Sequence, residues 1–287
     1  MLMKHILIGA ALTLLTSWAS AADKPSTAGP NVHVLAPPLS IPGLDRQRTL
    51  RVYLPPSYAT SNRRYPVLYM HDGQNLFDAA TSYAGEWGID ENLDALARSD
   101  AFEIIVVGID NGAEKRMNEL SPWPNARFGK AEGEQYTAFL VNTVKPYIDG
   151  RYRTQPDREH TGIMGSSMGG LISHFAIHRY PETFGKAGIF SPSYWYASEV
   201  YGFTESHPLP AGARLYLLAG GKEGAQTADD MKRMVALMRG KGRKDGNNGD
   251  GKGLAIQSGV VEGGEHNEAF WRAEFPKAVR WLFGTGR

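Results

Sequence analysis

Thr161-Gly162-Ile163-Met164-Gly165-Ser166-Ser167-Met168-Gly169-Gly170-Leu171-Ile172 is the stretch whose reading decides the fold. Its first four residues read as a short buried strand, and Leu171 to Arg179 reads as a helix stopped by Pro181. The turn between them has the pattern Gly-x-Ser-x-Gly, and only Ser167 has glycines two positions before and two after it. A serine at a sharp strand-to-helix turn is held in a strained backbone conformation with its hydroxyl above the sheet. The flanking glycines are expected where a Cβ at Gly165 or Gly169 would clash as the chain doubles back. The turn also opens a helix, so the Met168 N–H and the helix dipole point toward negative charge developing beside Ser167. Ser167 is therefore the candidate nucleophile, with a plain helix cap as the alternative.

Working outward, short apolar runs alternate with helix-like stretches. Strands are expected at Leu50–Leu54, Val67–Met70, Ile104–Ile109, Thr161–Met164, Ala187–Phe190, Leu215–Ala219 and Ile256–Val261. Helices are expected near Ile89–Arg98, Glu132–Ile148, Leu171–Arg179, Ala228–Arg239 and Asn267–Phe283. Several strand runs lack polar alternation, as strands buried on both faces do. The alternation predicts βαβ units around a mostly parallel central sheet flanked by helices, in a single α/β domain over residues 31–287. The short stretch from Ser191 to Arg214 leaves no room for a cap domain.

The rest of the chain narrows the function classes. Of its 287 residues, 42% are hydrophobic, and 31 Lys+Arg against 30 Asp+Glu leave a net charge of +1. Such a balance gives no global field for nucleic acid or anionic lipid. Lys4, the apolar run Ile6–Leu15 and Ala19-Ser20-Ala21 form a bacterial-type signal, so residues 1–21 are expected to be cleaved. A secreted or periplasmic protein follows, with no membrane attachment after cleavage. Residues 22–30 read as a mobile leader. There are no cysteines, so neither disulfides nor thiolate metal sites are available. Residues 239–253 are glycine-rich with mixed charges and read as a flexible loop. A calcium loop starting at Asp245 would place Ile256 where a bidentate Glu belongs.

A serine hydroxyl needs a base. In a strand–turn–helix hydrolase of this kind the order is Ser, acid, His. His266 follows the last strand-like run and is the candidate base. Glu223, after Leu215–Ala219, is the candidate acid, with Asp229 and Asp230 as alternatives. The turn His71-Asp72-Gly73-Gln74-Asn75 after Val67–Met70 is the expected source of a second oxyanion donor, the Gln74 N–H. His71 itself reads as a hydrogen-bonded core histidine. Arg116 and Glu119 read as a pair fixing the loop around Trp123. Asn75, Trp123 and Trp195 are candidate substrate contacts. Trp271, Phe275, Val279 and Leu282 recur at helical spacing and read as core.

Four segments carry a family resemblance over roughly Asn31 to Leu282. They are Pro66–Asp78 (PVLYMHDGQNLFD), Arg116–Trp123 (RMNELSPW), Gly162–Ser173 (GIMGSSMGGLIS) and Gly263–Arg272 (GGEHNEAFWR). With them the sequence resembles the Putative esterase family of α/β-hydrolases. That group includes feruloyl and acetylxylan esterases, siderophore esterases, esterase D and mycolyltransferases. The resemblance implies a serine esterase with the nucleophile at Ser167, the histidine at His266 and oxyanion amides at Met168 and Gln74. Ala219–Gly224 (AGGKEG) resembles the family's usual acid setting. No metal or organic cofactor is implied. The expected substrate is a small-molecule, polysaccharide-linked (feruloyl or acetyl) or siderophore ester. Acyl transfer by the same triad, or a non-catalytic glycan-binding module on this scaffold, are the competing readings. The sequence carries no signal for oligomeric state.

Overall fold

The computed structural model describes residues 24–242 and 253–284. The signal-peptide expectation for residues 1–21 and most of the glycine-rich loop lie outside the described residues. Eight strands form one sheet: β1 (Val32–Ile41), β2 (Arg46–Tyr53), β3 (Val67–His71), β4 (Ile105–Ile109), β5 (Thr161–Ser166), β6 (Lys186–Phe190), β7 (Arg214–Gly220) and β8 (Ala255–Val261). Their order is β1-β2-β4-β3-β5-β6-β7-β8. β1–β2 and β2–β4 are antiparallel, and every pair from β4 to β8 is parallel. β3, β4 and β5 are buried along their whole length, which explains their unalternated apolar sequences.

The helices are α1 (Ile89–Asp100), α2 (Arg116–Glu119), α3 (Gly133–Phe139), α4 (Lys145–Arg151), α5 (Met168–Arg179), α6 (Glu199–Ser206), α7 (Ala225–Gly242) and α8 (Glu268–Phe283). One apolar layer includes Phe139, Val144, Leu171, Phe175, Met234 and Met238 from α3 to α7. The opposite layer includes Leu93 of α1 and Trp271, Phe275 and Val279 of α8. α5 is buried from Met168 to His178, so its sequence is apolar all round instead of amphipathic.

Several elements differ from the sequence reading. β1 was not expected, because Pro37-Pro38 argues against a strand; it is a largely exposed edge strand whose register shifts between Leu35 and Leu39, where prolines are tolerated. The single helix expected near Glu132–Ile148 is α3 and α4 joined by a wide π turn, Leu140–Val144. Pro146, with no N–H to donate, sits just beyond that turn. α6 was too short to stand out by periodicity. The final turn of α7 also takes in residues 239–242 of the stretch expected as a loop.

Lys24–Pro30, the described part of the expected mobile leader, is an extended segment tethered at several points. The Ser26 hydroxyl and Thr27 N–H donate to Asp78, the Thr27 hydroxyl donates to Glu86, and the Gly29 N–H donates to Asp90. The expected Arg116–Glu119 pair does not form. Glu119 is buried between Arg46 and Arg48, each 2.7 Å away, while Arg116 turns to Asp72. The two arginines are brought to Glu119 by β2, a contact that local sequence does not encode.

Three buried histidines, His71, His174 and His178, are expected to make the fold acid-sensitive, and burial holds His174 well below its usual value. Burial pushes His71 and His178 down from 6.5 to about 4. An unfolded chain protonates these side chains below about pH 6.5. Their stabilisation is therefore complete above that pH and is lost as pH falls toward 4, by roughly 3 kcal/mol per histidine. The expected result is a Tm lower by about 10 °C or more at about pH 4.5 than at about pH 7. A Tm unchanged between these conditions would show that the folded protein accepts these protons.

Candidate active site

The turn between β5 and α5 is the sharp elbow expected from its sequence. Ser167 has φ +58° and ψ −120°, a strained conformation for a residue with a Cβ. Its N–H donates to the Phe190 carbonyl at 2.9 Å, and its carbonyl accepts from the Ser193 N–H at 3.1 Å, so β6 and the loop after it clamp the turn. A Cβ on Gly165 would lie 2.8 Å from the Gly169 backbone, as the doubling-back argument requires. Gly169 itself is different. A Cβ there would meet His71 only at 3.4 Å, whereas at Gly170 it would press to 2.9 Å on the Phe190 carbonyl. The second glycine demanded by packing is thus Gly170.

The turn after β7 carries Glu223, whose side chain is 1% exposed. Its Oε1 accepts from the Gly220 N–H at 2.8 Å and from the Ser191 hydroxyl at 2.5 Å. Its Oε2 lies 3.2 Å from His266 Nδ1. The Ser191 hydroxyl in turn accepts from Trp271 Nε1 at 2.9 Å, and the Trp271 ring meets the His266 ring edge-on, with centroids 5.1 Å apart. This network fixes the carboxylate and, through it, the imidazole. The two alternative acids face elsewhere: Asp230 accepts from the Tyr201 hydroxyl at 2.9 Å, and exposed Asp229 lies beside Lys232.

The turn after β3 approaches the elbow from the other side. Asp72 is left-handed at φ +57°, and Gly73–Asn75 form one tight 3-10 turn. A side chain at Gly73 would start 2.8 Å from β4 backbone atoms, so the turn packs directly on the sheet. Asp72 accepts two bonds from Arg116, at 2.6 and 2.8 Å, and one from Asn111 Nδ2 at 2.7 Å. Burial alone would push the Asp72 carboxyl up, but the Arg116 guanidinium and these hydrogen bonds hold it below its usual range. Gln74 is steadied through its side chain, whose Oε1 accepts from the Asn111 N–H at 3.1 Å. Among the described residues, neither the Gln74 nor the Met168 N–H has an intramolecular acceptor.

These segments enclose a cavity of about 750 Å³ lined by Gln74, Asn75, Ser167 and His266 among others. The Ser167 hydroxyl is hydrogen-bonded to the Ser193 hydroxyl at 3.1 Å and not to His266. Asn75 lines the cavity, yet its Oδ1 accepts the Tyr83 N–H at 3.1 Å and so holds a wall loop in place. Trp123 and Trp195 do not line it. Trp123 packs edge-on against Phe175 and Phe203, and Trp195 is half exposed beside Phe128 and Tyr196. Tyr83, Trp87, Arg116 and Glu268 line the cavity without having been singled out for it. Trp271, expected as core, is both core and cavity wall. His71 is core, with Nδ1 2.8 Å from the Tyr136 hydroxyl, and also borders the cavity.

The family model described as "Putative esterase" matches residues 41–282. The chain belongs to this family. Uncharacterized protein YbbA of Bacillus subtilis (strain 168) is 30% identical over 250 residues, spanning 84% of this chain and 94% of that one. The endo-1,4-beta-xylanase/feruloyl esterase of Xylanibacter ruminicola is 26% identical over 244 residues, which are 83% of this chain and 30% of that protein. The solved structure of BES protein from Bacillus cereus aligns with a TM-score of 0.72 at 16% identity, covering 93% of this chain and all of that one, and shares its fold. The protein is a carboxylic ester hydrolase of the α/β-hydrolase fold. In this esterase no described helix is long and apolar enough to cross a membrane.

Proposed function

We propose that this esterase cleaves its substrate through an acyl-enzyme on Ser167, with His266 as general base and Glu223 as the acid that orients it. The observation that carries the reading is the buried Glu223 carboxylate on His266 Nδ1, which leaves Nε2 as the ring nitrogen available to the cavity that holds Ser167. Ser167 Oγ exchanges its bond to Ser193 for one to His266 Nε2 and attacks the ester carbonyl as the imidazole takes its proton. The Met168 and Gln74 N–H groups receive the oxyanion. Collapse expels the alcohol, protonated by His266. Water, deprotonated by the same imidazole, then releases the acid and regenerates Ser167.

The substrate class is a feruloyl or acetyl ester on a polysaccharide, or a siderophore ester. The feruloyl esterase relative and an uncapped cavity with aromatic walls support a bulky ester of this kind. A secreted or periplasmic site of action, after removal of residues 1–21, fits such substrates. The test is a fluorophosphonate probe followed by peptide mapping, beside turnover of methyl ferulate, acetylated xylan and a catecholate trilactone. A covalent adduct on Ser167 and hydrolysis of at least one ester are expected. An active protein labelled elsewhere, or not at all, refutes the assignment.

The Arg116–Asp72 pair gives a further expectation. Arg116→Met leaves a buried carboxylate without its cation, destabilising the protein by about 3 kcal/mol. It also frees the turn bearing the Gln74 amide, lowering kcat roughly 10- to 100-fold with less effect on KM. Urea unfolding and p-nitrophenyl acetate kinetics measure the two effects. A kcat within about twofold of wild type would mean the turn holds its shape without the pair.

A further inference from the structure

The charges that line the cavity do not balance. Asp72 is neutralised by Arg116, and Asp110 by Arg51 through bonds of 2.8 and 3.1 Å. Glu268, in the first turn of α8 and two residues beyond His266, is different. Among the described residues no other residue gives its carboxylate a hydrogen bond or an ion pair, and only its own backbone N–H reaches it, although it lines the same cavity as Ser167. It is half-buried, with its Cβ 3.6 Å from where a Cβ on Gly85 would stand. Arg116 is the one arginine or lysine among the lining side chains, and its charge is offset by Asp72, which accepts one bond from Nε and one from Nη2. Partial burial pushes the Glu268 carboxyl up and Asp72 acts in the same direction, while its own backbone N–H, His266 and Arg116 oppose them.

Resting on the hydrolytic reading above, we propose that Glu268 determines substrate class: it accepts hydrogen bonds from hydroxyl groups of a neutral, sugar-borne ester and repels anionic esters. A carboxylate has only acceptor positions, so an uncharged polyol satisfies it and another anion cannot. An unpaired like charge at a binding site discriminates by repulsion, independently of the contacts that favour the correct ligand. A ferric tris-catecholate siderophore is trianionic and is disfavoured. Feruloyl and acetyl esters on neutral sugars are not.

The experiment compares kcat/KM for a neutral and a carboxylate-bearing ester with the same leaving group, p-nitrophenyl butyrate and mono-p-nitrophenyl glutarate, at about pH 8, where carboxylates are ionised. Taking the ratio of the two cancels any effect of the substitution on His266. In Glu268→Gln the anionic-to-neutral ratio rises about five- to tenfold over wild type, and added salt shrinks the difference. Glu268→Asp, which keeps the charge, holds the ratio within about twofold of wild type. A Glu268→Gln ratio equal to wild type, or a Glu268→Asp ratio that moves as far as the Gln variant, overturns the proposal. A wild-type protein inactive on both esters instead refutes the hydrolytic reading and this inference with it.

Discussion

Ser167→Ala is expected to lower kcat for p-nitrophenyl acetate by about 10⁴-fold or more, with thermal unfolding close to wild type. In the proposed mechanism the lost oxygen is the atom to which the acyl group is transferred, and no neighbouring group replaces it. Ser166 is buried at the end of β5, and the Ser193 hydroxyl belongs to a different loop. Little stability is at stake, because the Ser167 side chain makes one hydrogen bond, to Ser193, while the turn is held by backbone bonds to Phe190 and Ser193. Residual turnover above water is expected from the oxyanion amides alone. Steady-state kinetics with a burst-phase control measure it. A variant that retains a tenth of wild-type kcat would exclude Ser167 as the nucleophile.

Glu223→Gln is the second large effect, about 10³-fold in kcat. The two side chains have nearly the same shape, so the cause is protonation pattern and not packing. Oε1 of the native side chain accepts from Gly220 and Ser191, and the Gln carbonyl must take over both bonds. Its NH₂ group then faces His266 Nδ1, where a carboxylate oxygen stood. An amide donor requires Nδ1 as acceptor, which puts the imidazole proton on Nε2, so the ring cannot accept the Ser167 proton. The imidazolium also loses its counter-charge. Ser191→Ala is a milder control, because it removes one bond to the acid without altering the tautomer. The two kcat values and a fluorophosphonate labelling rate measure the difference. Loss of less than about tenfold in Glu223→Gln would mean that another group orients the ring.

How much of this could be read from residues alone follows the range of the interactions. β3 to β7 were legible because burial on both faces writes itself into each short segment, and β2 and β8, which are partly exposed, through their runs of apolar and β-branched residues. β1 was not, because its two prolines contradict a strand unless an edge position is already known. The elbow was legible because strand, strained turn and helix are consecutive, and His266 because it stands between the last strand and the last helix. The acid was left as a choice among Glu223, Asp229 and Asp230, and the loop position of Glu223 gave no view of Ser191 or Trp271. Arg116 shows the limit most clearly. Its helical neighbour Glu119 was the natural partner at short range, yet β2 delivers two arginines to Glu119 and the turn after β3 delivers Asp72 to Arg116.

Sequence by itself determined a mostly parallel central sheet and an ester-hydrolase family, since buried periodicity and the Gly-x-Ser-x-Gly turn are properties of contiguous residues. Tertiary structure alone decided which carboxylate meets the imidazole, which tryptophans stay away from the cavity and which charge in it is left without a partner. Those outcomes depend on side chains from separate crossovers meeting at the carboxyl ends of β3, β5 and β7, where distance in space is unrelated to distance along the chain.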